Sequence, residues 1–259
     1  MTIEALPFVN WIFWATLSSG SLLVVGLTEL LGGTTRGYRL FMAGLLAVFA
    51  GVLLLSELNL VQGAVGDSTA GARRMLVWAF CGITWAYLLA SVARLPRAGL
   101  AVAGGLVGIL GLVALANAGD TLSTFLFASQ LILAAMALGA VNAAMLLGHW
   151  YLVTPKLSPS PLRRMMILLL VALALQALVF ALAMAFVSIG PLGGPIGWVT
   201  WLRLMVGIAL PIGITVLAYL ATRASSLQAS TGLLYIALAF VMAGSIAASS
   251  ITYLTGVPV

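Results

Sequence analysis

Apolar residues form long runs along this chain, and short polar breaks separate them. A helix needs ~20 mostly apolar residues to cross the hydrocarbon core of a bilayer, and eight runs meet this length. The pattern therefore predicts an all-α, polytopic membrane protein. Its eight transmembrane helices are expected at about 7–32, 38–62, 73–94, 98–117, 122–153, 163–189, 197–222 and 227–254.

The composition supports the same class. Of the 259 residues, 63% are hydrophobic and only 6% are charged, which is too little charge for a soluble domain of this length. Since no polar segment is long enough to fold separately, residues 1–259 are predicted to form a single transmembrane domain. The expected surroundings are the lipid bilayer, and the net charge of +6 is not interpreted as nucleic-acid binding.

The distribution of Lys and Arg predicts the orientation. Positive residues concentrate in cytoplasmic loops, and here alternate loops differ strongly in charge. One side holds eight: Arg36, Arg39, Arg94, Arg97, Lys156, Arg163, Arg164 and Arg223. The other side holds only Arg73 and Arg74, which are expected among headgroups or beside Asp67. Both termini are therefore predicted on the outer, periplasmic side of the cell's inner (plasma) membrane.

Short internal similarities suggest that the chain is two diverged halves, each a four-helix bundle. Spans three and seven share the segments 86–88 and 218–220, Ala-Tyr-Leu in both, and an Arg follows each. Chance matches are common in apolar helices, so this stays a hypothesis. Small residues spaced by four in spans two, four and five predict close helix contacts, and Pro211 predicts a kink in span seven.

Ionisable residues inside spans are rare and usually face the protein interior. Glu29 and His149 both lie near the inner ends of their spans, and Asn142 precedes His149 on the same helical face. We expect His149 to face the interior, level with Glu29, as a proton-handling or ligand-binding pair. The alternative is that both are interfacial residues, with Glu29 paired to Arg36 or Arg39.

A second polar group is predicted at the outer end. Arg203 lies about two turns into span seven, ~9 Å deep at ~1.5 Å per residue, and Glu57 lies at a similar depth in span two. A buried Arg needs a partner, so Glu57 and Arg203 are expected to pair, with Asn10 close by. The alternative reading is an ion pair that only ties two helices together.

The remaining chemistry is sparse. With one cysteine, Cys81, and one histidine, disulfides, Cys-ligated metals and bis-His haem within the chain are excluded. P-loop and dinucleotide fingerprints are absent. We predict no catalytic residue, no metal site and no covalently bound cofactor, which favours a non-catalytic membrane subunit over a stand-alone enzyme.

The first two spans resemble a known family over roughly residues 10–60. The segments NWIFWATLSSGSLLVVGLTELLGG and RLFMAGLLAVFAGVLLLSELN are similar to polysulfide-reductase (NrfD-like) membrane subunits. Asn10, the run 18–21 and Glu57 stand at the motif positions, while Phe13 stands where some members have His. The resemblance implies two four-helix bundles, exchange with quinone or quinol, and iron–sulfur or cytochrome partner subunits.

Three functions remain open from the sequence. The first is an integral membrane subunit of a redox complex that interacts with quinone or supports proton and electron transfer. The second is a small-solute or ion transporter with a cavity between the two halves. The third is a membrane scaffold or assembly protein in which polar pairs only fix helix packing.

Overall fold

A computed structural model of the chain describes residues 5–60, 67–116, 121–154, 157–188 and 190–259. All regular structure in these segments is helical, and eight helices are long and apolar enough to span a membrane. This confirms the predicted class. We number the spans α1 Ala5–Leu31, α2 Arg36–Leu58, α3 Asp67–Ala93, α4 Ala98–Leu115, α5 Thr121–Val153, α6 Ser160–Phe186, α7 Gly197–Arg223 and α8 Leu227–Thr255.

The span α7 is interrupted in its first half. It is α-helical over Gly197–Leu204, a π-helix over Met205–Ala209 and α-helical again over Leu210–Arg223. Pro211 lies at the start of the last segment and has no N–H to donate to the preceding turn. The sequence predicted a kink at this proline, and the structure places a π segment directly before it.

The same packing order occurs in both halves of the chain. In the first half α1 packs against α2 and α4, and α3 packs against α2 and α4. In the second half α5 packs against α6 and α8, and α7 packs against the same two helices. The turns after α3 and α7 each hold a non-glycine residue with positive φ, Arg94 at 61° and Ser225 at 60°. This is the arrangement expected of two four-helix bundles related by a repeat.

The halves meet along α1 and α5, which run parallel at the centre of the molecule. In their most apolar stretches 89% and 78% of residues are buried, against 28–56% in the other spans. A Cβ built on Gly139 would overlap the backbone of Gly20. The small-residue face predicted on span five is thus a real backbone contact, whereas Gly51 on α2 has no atom within 4 Å of such a Cβ.

Two boundaries at the end of the bundle where α1 begins differ from the prediction. Helix α2 ends at Leu58, and α3 begins at Asp67, well before the predicted start at 73. The extra turns place Arg73 and Arg74 inside the helix, where they reach the bundle instead of the loop.

Candidate functional site

The strongest candidate site lies in the first half, at the end of the bundle where α1 begins, around the buried carboxylate of Glu57. Arg73 Nη1 lies 3.0 Å from Glu57 Oε2, and Trp11 Nε1 donates a hydrogen bond to the same oxygen at 2.6 Å. Arg74 Nε is 3.8 Å from Oε1, and its side chain is half exposed. One carboxylate is therefore held by two guanidinium groups and an indole.

Three helix ends build this cluster. Trp11 comes from the first turns of α1, Glu57 from the last turn of α2, and Arg73 from the early part of α3. The Arg73 guanidinium also lies 5.1 Å from the centroid of the Trp11 ring, a distance at which a cation is attracted to the ring face. Trp11 therefore contacts both members of the ion pair and fixes their positions.

An open groove of about 590 Å³ lies between the start of α1 and the end of α2, and Asn10 and Ser56, the chain neighbours of Trp11 and Glu57, contribute to its lining. Asn10 Nδ2 donates to Ser56 Oγ at 2.9 Å, while Trp14 Nε1 donates to Asn10 Oδ1 at 3.2 Å. These two bonds determine the orientation of the amide. The other lining residues are mostly apolar: Leu6, Pro7, Trp14, Val52, Leu55 and Asn59.

The predicted Glu57–Arg203 pair is wrong. Arg203 is buried in the second half, where its Nη2 donates to Gln176 Oε1 at 2.9 Å. The amide of Gln176 in turn donates to the Leu133 carbonyl at 2.9 Å. Shared depth did not imply contact, because α2 packs mainly on α1 and α3, whereas α7 packs on α6 and α8.

A small cavity adjoins Arg203. It measures about 10 Å³, room for about one water molecule, and its polar lining is Gln130, Gln176, Arg203, Ser245 and Ser249. Among the described residues Arg203 has no acidic partner within ion-pair distance, and its Nε has no hydrogen-bond partner. The second half thus encloses a cation that is bonded to an amide.

Arg73 and Arg74 also depart from expectation. They were expected among headgroups or beside Asp67, but both reach Glu57, and Arg73 is buried. The physical reason is the early start of α3, which turns a predicted loop into helix.

At the opposite end of the bundle, where α1 ends, Glu29 and His149 have different partners. Glu29 Oε1 lies 3.0 Å from Arg97 Nη2 and 3.3 Å from Arg39 Nη1, and Tyr87 donates to Oε2 at 3.2 Å. The alternative that paired Glu29 with Arg39 is confirmed. Arg97 and Tyr87 also contact Glu29, because the end of α3 and the start of α4 lie at the level of Glu29 on α1.

The expectation that His149 faces the interior is wrong. Its side chain is exposed, and its Nδ1 lies 3.3 Å from the hydroxyl of Tyr235 on α8. The ring does have a polar partner, as expected, but that partner is not Glu29.

Asn142 lies in the contact between the halves. It is buried, and its Nδ2 donates to Ser21 Oγ on α1 at 3.0 Å. Of the six predicted site residues, only Asn10 and Glu57 therefore share one site. Sequence reasoning missed Trp11, Ser56 and Gln176. A signal existed for Gln176, which is an amide in the middle of an otherwise apolar span.

In the described segments no three His, Cys, Asp or Glu side chains come together as a metal-binding group. A scan against protein-family models and searches of curated proteins and of solved structures found no match to this chain. The resemblance to polysulfide-reductase membrane subunits therefore stays a prediction.

Proposed function

We propose that this chain is the integral membrane subunit of a redox complex, and that the outer groove accommodates the head of a quinone or quinol. The observation that carries the proposal is an apolar groove with an oriented amide, which is also lined by Ser56, the residue before a buried glutamate. A quinone head is a flat apolar ring whose two carbonyl oxygens accept hydrogen bonds. The groove offers both parts of the matching chemistry, apolar walls and the amide of Asn10.

The amide of Asn10 has donor capacity left for a ligand. One of its two N–H groups is used on Ser56, and an amide nitrogen carries two. Because Trp14 donates to Oδ1, the nitrogen side is fixed toward α2 and the groove. Ser56 donates its own hydroxyl proton to the Val52 carbonyl at 2.9 Å, so Asn10 is the expected donor to a quinone carbonyl.

Glu57 follows Ser56 directly in the chain, and we propose it as the acid–base group of this site, although its side chain does not line the groove. Its Oε1 is buried without a hydrogen-bond partner among the described residues, although Arg74 lies at 3.8 Å. Quinol oxidation releases protons, and a carboxylate oxygen without a donor is a natural acceptor for one of them. Trp11 and Arg73, which both bind Oε2, keep the other side of the carboxylate in place.

The electrons of such a reaction would pass to other chains, namely iron–sulfur or cytochrome subunits bound at the outer face. Purification from native membranes tests this part of the proposal. Partner chains with haem or iron–sulfur absorbance are expected in the complex. A chain that purifies alone, binds no quinone and mediates solute uptake in proteoliposomes would support the transporter instead.

Quinone binding itself is tested with the purified protein and a short-chain quinone, by quenching of tryptophan fluorescence. Asn10→Leu removes one hydrogen bond, worth about 1 kcal/mol, and should weaken binding roughly five- to tenfold. Gln228→Leu is the control, because it removes an exposed amide at the start of α8. Equal affinity of Asn10→Leu and the control, or no saturable quenching of the wild type, would overturn the proposal.

The transporter alternative has one observation in its favour, the enclosed cavity beside Arg203 and the π segment that follows this residue. Against it, the backbones of Gly20 and Gly139 are in contact. At that level the two halves leave no room for a solute between them. The scaffold alternative is favoured by no specific feature of the site.

The orientation is part of the proposal as well. With both termini outside, the groove lined by Asn10 and Ser56 opens to the periplasmic side, and the loop 154–159 lies inside. A single cysteine at position 158, in a Cys81→Ser background, should resist a membrane-impermeant maleimide in intact cells. Labelling without lysis would reverse the orientation.

A further inference from the structure

A second open groove lies at the inner end of the first half, where α3 turns into α4. It measures about 660 Å³ and is lined by three arginines, Arg39, Arg94 and Arg97, and by one acid, Glu29. Three positive groups against one negative group leave a net charge of +2 on its walls. No part of the proposed quinone site uses these residues.

The carboxylate of Glu29 is fully engaged within the cluster. Two arginines contact Oε1 and Tyr87 donates to Oε2, so Glu29 is neutralised by its neighbours. Arg94, by contrast, has no acidic partner in the described part of the chain. The Nε groups of Arg39 and Arg97 are buried without a hydrogen-bond partner among the described residues. The groove therefore has positive charge that nothing in the described protein balances.

The backbone at Arg94 is unusual for a side chain of this size. Its φ of 61° is left-handed, at the position after a helix where glycine is the common residue. The turn is closed by Leu95 N, which donates to the Ala90 carbonyl at 2.9 Å. A glycine would adopt this turn with less strain, so the Arg94 side chain can be removed by Arg94→Gly without a steric cost to the turn.

The start of α4 adds to the attraction for an anion. Ala98, Gly99 and Leu100 line the groove, and the first N–H groups of a helix have no partner within the helix. The residue before them, Arg97, makes no side-chain cap. Free N–H groups and the positive end of a helix favour phosphate and carboxylate groups.

Exposed leucines border the charged wall. Leu30, Leu95 and Leu100 line the same groove, and all three are exposed. A soluble anion would not require apolar contacts. A phospholipid has a phosphate for the arginines and glycerol and acyl groups for the leucines, and basic pockets between spans are known to attract acidic headgroups.

We propose that this groove binds the phosphate group of an acidic phospholipid headgroup, with Arg94 and Arg97 as its principal contacts. The bound lipid would stabilise the contact between the α3–α4 turn and the inner end of α1. This site is independent of quinone binding, since it lies at the opposite end of the bundle.

The test measures lipid retention by native mass spectrometry and melting temperature in detergent with added lipid. Phosphatidylglycerol should remain bound and raise the melting temperature, whereas phosphatidylcholine at the same concentration should do neither. Millimolar inorganic phosphate forms the third arm. A stabilisation by phosphate equal to that by phosphatidylglycerol would overturn the assignment to a lipid, as would equal retention of the two lipids.

Two matched variants separate binding from folding. Arg94→Gly removes the charge and suits the left-handed turn, so its melting temperature without lipid should be kept or raised while phosphatidylglycerol retention falls at least fivefold. Arg223→Gln removes an exposed cation at the end of α7 and should retain lipid like the wild type. Equal retention by Arg94→Gly and Arg223→Gln would overturn the proposal.

Discussion

The two halves of the molecule place an arginine at comparable positions but give it different partners. In the first half Arg73 on α3 binds the carboxylate of Glu57 on α2. In the second half Arg203 on α7 binds the amide of Gln176 on α6. The second and third helices of each half are thus linked in different ways. The first bundle has an ion pair, and the second has a cation bonded to an amide beside an enclosed cavity.

The opposite ends of the two bundles, where α1 and α5 end, repeat this difference. The first half has Glu29 between Arg39 and Arg97, while the second half has an exposed contact between His149 and Tyr235. One packing scheme therefore accepts both ionic and neutral links between helices. Glu29 and Arg39 line one open groove, and Glu57 follows Ser56, which lines the other, so experiments on function should begin in the first half.

The largest effect is expected from Glu57→Gln, which gives the first half the amide link of the second. It leaves the buried Arg73 without a counter-ion, and loss of one member of a buried pair costs about 3–5 kcal/mol. The unfolding free energy measured by denaturant titration in detergent micelles should fall accordingly. The double variant Glu57→Gln/Arg73→Met should lose less unfolding free energy than Glu57→Gln alone. Unchanged stability of Glu57→Gln would show that the ion pair with Arg73 does not stabilise the fold.

The second-largest effect is expected from a change at the contact between the two halves. Gly139→Ala would place a Cβ against the backbone of Gly20, and overpacking of this kind costs about 1–3 kcal/mol. Gly51→Ala is the control, because nothing lies within 4 Å of its Cβ position. The control should melt at or above the wild-type temperature. If both variants behave alike, the close contact of α1 and α5 is not important for stability.

The reverse exchange, Gln176→Glu, should stabilise the second half. A hydrogen bond to a charged group contributes about 1 kcal/mol more than one between neutral groups, and the glutamate would balance Arg203. The new carboxylate loses the donor to the Leu133 carbonyl, which offsets part of the gain. Melting temperature in detergent measures the result, with Gln228→Glu as the exposed control. A clear loss of stability would show that Arg203 is already balanced.

The smallest effect is expected from His149→Ala. Its bond to Tyr235 is exposed, so its loss should change the unfolding free energy by less than about 1 kcal/mol. Trp150→Leu should cost more, because the Trp150 ring lies against Gly37 at the start of α2. A stronger effect of His149→Ala would show that the imidazole has a role beyond this contact.

Local properties of the sequence were sufficient for the architecture. Length and hydropathy decide whether a segment spans a bilayer, because the backbone of a span must satisfy its own hydrogen bonds. The eight spans followed from such properties, and so did a close helix contact at the small residues of span five, but its partner α1 was not predicted. The Arg94 and Ser225 turns, which strengthen the argument for a repeat, depend on backbone dihedrals and could not be read from the chain.

The partners of the charged groups depended on tertiary structure. Glu57 and Arg203 have similar depth, and depth can be counted along a sequence. Contact also requires the two helices to be neighbours with the right rotation, and those are decided by packing over the whole bundle. Arg73 became the partner of Glu57 because α3 begins at Asp67, and Glu29 was bound by Arg97 because α4 starts beside α1. The sequence by itself determined which segments cross the membrane, and the assembly of those segments determined which charges meet.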